Sequence, residues 1–168
     1  MTTRHLSRLG GAAAMIAALL RAVGSVVPSA PEATALASLY LVTDVFILLG
    51  LMGWYVAQHE RVRLAGLLGF VVSVVGVAVI RSNGGFPGVD TYSIGAPLLV
   101  IGLIVLAVSG WRAGLMAGWV PAALLVAAVL GPVGYLAGIS SLFAASGLAF
   151  SVGFGGAGVY LWRAGVGR

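Results

Sequence analysis

Two ionisable side chains lie inside apolar runs, where charge is costly. Arg21 interrupts the stretch from Leu9 to Val27. Asp44 sits well inside the 22-residue run 36–57, LASLYLVTDVFILLGLMGWYVA. On helical spacing, Arg21 falls about 9 Å below the outer end of its segment and Asp44 about 12 Å below the outer end of the next. Two adjacent antiparallel helices thus carry opposite charges at similar depth. Either charge alone would cost about 2.5–3.5 kcal/mol on insertion scales, so an Arg21–Asp44 pair is the expected relief. Tyr40 shares a helical stripe with Asp44, Leu48, Leu51 and Tyr55 and is expected to offer the carboxylate a phenolic hydrogen bond. Arg81 and Asp90, in the loop beyond, are expected to extend this polar site outward. The chemistry in prospect is the handling of a proton or small polar solute. A purely structural ion pair that sets the register of two helices is the competing reading, and an Arg21 that snorkels to the outer surface would break the pair.

Other reactive chemistry finds little support. There is no cysteine and, with all nine basic residues arginine, no lysine. Thiol catalysis, thiolate metal sites and Schiff-base chemistry are therefore excluded. His5 and His59 fall in polar segments with only Glu60 near them, too few ligands for a metal centre. No nucleophile, base and orienting acid share a spacing that would assemble a catalytic centre, so neither an enzyme nor a cofactor is expected. Residues 153–158, GFGGAG, match the dinucleotide fingerprint in form only, because they lie inside an apolar helical segment rather than between a strand and a helix.

The elements that would hold such a site follow from composition. Hydrophobic residues make up 61% of the 168 residues, charged residues 8%, and the mean hydropathy is +1.13. A soluble domain carries about 25% charged residues. The apolar runs are long and lack period-2 alternation, so helical spans are expected rather than a barrel. The reading is an all-α integral membrane bundle of six transmembrane helices forming one domain over 1–168. The spans fall near 9–27, 36–57, 64–80, 94–111, 115–130 and 141–162. The start resembles a signal peptide, but Ala33-Thr34-Ala35 lies far beyond Arg21, and a retained first helix is expected. Residues 28–35, 58–63 (QHERVR), 81–93 and 112–114 read as loops, and 131–140 as a weakly polar loop that the fifth helix can overrun toward Ala137.

Six spans put both termini on one side. With that side cytoplasmic, the inner segments hold Arg4, Arg8, Arg61, Arg63, Arg112, Arg163 and Arg168, while the outer loops hold only Arg81. This bias is the positive-inside pattern of a multi-pass protein of the cytoplasmic (inner) membrane. Trp54, Trp111, Trp119 and Trp162 fall near the same inner ends, as an aromatic belt would. The basic balance is thus assigned to topology, not to nucleic acid. Small residues recur at helical spacing: Gly10, Ala14, Ala17 and Gly24 beside Arg21; Gly66, Gly69, Ser73 and Gly76; Gly110, Gly114 and Gly118; Gly147, Ser151 and Gly155. They mark close helix contacts, within the bundle or between subunits. Pro97, Pro121 and Pro132, near span ends, read as ordinary membrane-helix prolines or as hinges.

The runs YLVTDVFILLGLMGWY at 40–55 and LAGLLGFVVSVVG at 64–76, with the WRAG turn at 111–114, resemble a broad group of uncharacterised small multi-pass bacterial membrane proteins. That resemblance implies a helical membrane bundle and carries no activity. Three roles remain: a transporter or channel subunit for a proton or small polar solute, a non-transporting lipid-binding or assembly protein, and, least favoured by so few polar groups, an intramembrane enzyme. The expected partners are the lipid bilayer and, for so short a chain, further copies of itself or another membrane protein.

Overall fold

The computed structural model describes residues 3–27, 34–82, 88 and 90–166. Five helices succeed one another, α1 (Thr3–Val26), α2 (Thr34–Arg81), α3 (Thr91–Arg112), α4 (Trp119–Ala137) and α5 (Ser140–Val166), with no strand among the described residues. Each contains a stretch long and apolar enough to cross a membrane. The expected loop at 28–35 lies outside the described residues except for its last two positions, and much of the loop at 81–93 does too.

Five helical elements stand against the six expected, and the difference lies in α2. At 48 residues, a straight α2 would run about 72 Å, more than twice a bilayer core. It is not straight. Arg63 leaves the helical region at φ 49°, ψ −143°, and the chain folds back there. The Tyr55 and Phe70 rings, on opposite sides of the fold, stack with centroids 5.0 Å apart. The arms 34–62 and 64–81 therefore run antiparallel. The expected water loop QHERVR is helical up to Val62, with Gln58 and Val62 buried.

The helices close into a ring. The first arm of α2 packs on α1, α1 on α5, α5 on α4, and the second arm of α2 on α3. Of the contacts between different helices that form this ring, α3 and α4 share the smallest interface. Glycines set the close approaches. A Cβ at Gly76 would meet Leu99 Cα at 2.7 Å and the Gly95 carbonyl at 2.8 Å, and one at Gly11 would meet the Gly158 carbonyl at 2.8 Å. The stripe 66–76 thus packs inside the bundle, against α3, and GFGGAG packs inside α5 against α1 and α4. The repeat at 110, 114 and 118 is different. Gly114 has φ +71° with open space around it and belongs to the turn between α3 and α4.

One end of the ring is solid. Leu51, Trp54, Leu103, Leu106, Val120, Leu124 and Phe154 are fully buried there. Trp54, expected in an interfacial belt, is 0% exposed and packs against Phe154. Because the first arm continues to residue 62, Trp54 lies about 12 Å inside its end rather than at it. Trp111, Trp119 and Trp162 are exposed as a belt requires. The second turn of α1 meets the last turns of α5 at this end: Ser7 donates to the Leu161 carbonyl at 2.9 Å, and the Arg8 guanidinium lies 5.1 Å from the Trp162 ring centroid.

Candidate functional site

At the opposite end the helices enclose a cavity of about 730 Å³. It is built from the last turns of α1, the start of α2, the end of its second arm, the start of α3, the end of α4 and the start of α5. Arg21, Tyr40, Asp44, Arg81 and Asp90, the residues singled out from sequence, all line it.

Their pairing differs from expectation. The Asp44 carboxylate is held by Arg81, whose Nε donates to Oδ2 at 2.5 Å. The side chains are 15% and 36% exposed respectively. Arg21 acts on Asp44 through space, without contact. Its guanidinium lies over the Tyr40 ring instead, 5.7 Å from the centroid. Among the described residues Arg21 has no carboxylate within ion-pair distance. Tyr40 does not reach Asp44, since its hydroxyl donates to the Gly24 carbonyl at 3.1 Å and ties α1 to α2.

The reason is the fold at Arg63. Asp44 lies 19 residues before it and Arg81 18 residues after it, so two antiparallel arms lift both to about the same height, roughly 27–28 Å from the turn. That symmetry was present in the sequence, but the expected loop of six residues concealed it.

Asp90 does separate work. It caps α3, accepting from the Tyr92 amide at 3.0 Å, and receives the Tyr135 hydroxyl of α4 at 2.5 Å. The Tyr135 hydrogen bond is the main influence that holds the Asp90 carboxyl below the usual carboxylate range, with the backbone amides of Ser93 and Tyr92 adding to it. Tyr92 in turn lies against the rings of Tyr135 and Phe143. Sequence reasoning missed Tyr135. Its signal was a lone tyrosine near the end of a helix reaching the same side as the 81–93 loop.

Below this charged rim the lining turns apolar, with Ile47, Leu99, Val100, Ala127 and Phe150. Pro97 of α3 and Pro132 of α4 also line the cavity. Lacking an N–H, each leaves the carbonyl four residues earlier without its helical donor. Those carbonyls belong to Ser93 and Ala128, both lining residues. Two further lining residues, Ile101 on α3 and Leu136 on α4, are largely exposed, Leu136 at 84%. Apart from the Tyr135–Asp90 and Tyr135–Tyr92 contacts at the rim, α3 and α4 share little interface along this wall.

Fold and site together define a helical protein with membrane-capable helices and one charged, half-apolar cavity. No protein family, curated protein or solved structure matches the chain.

Proposed function

We propose that the chain is a six-pass protein of the cytoplasmic membrane, with α2 crossing twice and both termini cytoplasmic, and that its cavity takes up a small polar or amphiphilic solute from the outer face as part of a carrier. The observation that carries this reading is the convergence of Arg21, Tyr40, Asp44, Arg81 and Asp90 on a single cavity. Ionisable groups at membrane depth that face a cavity are the usual mark of a solute path, and a volume of about 730 Å³ falls in the range of small-molecule sites. The arginine bias and the three exposed tryptophans support the orientation, with the cavity outward and the solid end inward.

The packed layer around Trp54 and Phe154 favours a carrier that must rearrange over an open channel. No catalytic step and no cofactor are part of this reading; the bilayer is the partner, and self-association would complete a path. Reconstituted vesicles carrying a pH-sensitive dye test it. Wild-type protein should pass protons or a polar solute, and Asp44→Asn should lose that flux. Equal flux in both would remove Asp44 from the mechanism. The thin α3–α4 seam favours a second reading, in which the cavity holds a lipid without moving it.

A further inference from the structure

We infer that the cavity is a site for an anionic amphiphile: a carboxylate or phosphate head held by Arg21, with its hydrocarbon tail lying along the α3–α4 seam. The inference rests on the outward-cavity reading above and names its ligand class.

The polar end of the cavity is not evenly matched. Arg81 is occupied by Asp44, and Asp90 by Tyr135 and the start of α3. Arg21 alone faces the cavity with a guanidinium that has an aromatic ring beside it and no carboxylate in contact among the described residues. A guanidinium fork offers paired donors to a carboxylate or phosphate, and the Tyr40 ring under it, tied to Gly24, holds it in place. A free inorganic anion would use only this corner. The rest of the lining, Ile47, Leu99, Val100, Ala127 and Phe150, offers it nothing. Apolar surface of that kind is stabilised by covering it with hydrocarbon. The way out also suits a tail. Between Thr91 and Ile101, about 15 Å of α3, the cavity is walled by α3 and α4, which share the smallest interface between different helices around the ring, and Ile101 and Leu136 line it while remaining largely exposed. An acyl chain can lie in that seam with its end among lipid tails. A water-borne solute gains nothing from a side opening.

The natural absence of cysteine permits a clean test on the full chain in neutral detergent. Ala128→Cys places a single thiol in the cavity wall. A water-soluble maleimide should modify it, and dodecanoate or dodecyl phosphate should protect it. Methyl dodecanoate, acetate and inorganic phosphate should protect at least ten-fold less well. Adding Arg21→Gln should weaken protection by dodecanoate about ten-fold or more, the order of one lost charge-assisted hydrogen bond, and Arg21→Lys should restore part of it. Size-exclusion profiles confirm folding, and Arg21→Lys serves alone if the glutamine variant does not fold. Equal protection by the methyl ester, or no change on altering Arg21, would overturn the anionic head. Equal protection by acetate or phosphate would overturn the tail. A thiol that never reacts would instead overturn the water-accessible cavity on which the outward-cavity reading rests, and the assignment with it. Whichever of dodecanoate and dodecyl phosphate protects better identifies the head group.

Discussion

The exchange of partners at Asp44 gives the sharpest test of the structure. If Arg81 holds the carboxylate by contact and Arg21 acts only through space, a double-mutant cycle must separate the two. At an effective dielectric of about 20, a pair at 4 Å attracts by about 4 kcal/mol. Desolvation and side-chain ordering remove most of that in a buried pair. Arg81 is 36% exposed, so its interaction is further weakened by solvent. The Asp44–Arg81 coupling is therefore expected at about 1–2 kcal/mol, and the Asp44–Arg21 coupling below about 0.5 kcal/mol. The assay is reversible unfolding in mild detergent by graded addition of a denaturing detergent. Wild type would be compared with Asp44→Asn, Arg81→Gln, Arg21→Gln and the two doubles. The single Arg81→Gln should cost at least as much as Asp44→Asn, because it leaves a carboxylate only 15% exposed without its partner, whereas losing Asp44 leaves a guanidinium 36% exposed that water can solvate. A larger coupling to Arg21 than to Arg81 would refute the pairing, and so would additive Asp44 and Arg81 effects.

Three further outcomes follow from other contacts. Arg63 has φ 49°, a conformation that only glycine adopts without strain, so Arg63→Gly should raise stability by about 1 kcal/mol, while Arg63→Pro should abolish folding; a fall in unfolding midpoint for the glycine variant would refute the turn. Gly76→Ala should cost about 1–3 kcal/mol, because its Cβ would meet backbone of α3; Gly155→Ala, whose Cβ would meet the Ala18 Cβ at 3.0 Å, should cost less, and the reverse order would refute the packing. Asp90 is held below the usual carboxylate value of about 3.9, chiefly by Tyr135. A depressed folded-state value means that its stabilisation is full above the unfolded value and fades as pH falls through the folded one. Carboxyl-carbon NMR should thus find Asp90 titrating below an ordinary aspartate, and Tyr135→Phe should move that titration upward; an unchanged midpoint would remove the α3–α4 clasp.

Much of the site was legible before any coordinate. Charge inside an apolar run is rare enough that Arg21 and Asp44 identified themselves, and Tyr40, Arg81 and Asp90 followed from stripe and loop position. Their contacts were not legible. The prediction that Arg21 meets Asp44 used depth along two neighbouring helices, and depth does not specify azimuth or the position of a third element. The fold at Arg63 is local, a single residue in an unusual conformation, and a run as charged as QHERVR masks it. Trp54 was misplaced for the same reason, since its helix ran further than polarity suggested. Three of the four small-residue stripes marked close contacts, while the repeat at 110, 114 and 118 runs through a turn. Which helix each would meet awaited the ring.

Composition and periodicity determine that this molecule is all-helical, with helices long and apolar enough to cross a membrane, because apolar runs of that length satisfy their backbone away from water only as helices. Helix order around the ring, the exchange of Arg21 for Arg81 at Asp44, and the seam left between α3 and α4 belong to packing. They depend on which small residues meet which backbones across the bundle. Those contacts join positions far apart in the chain, and no local pattern encodes them.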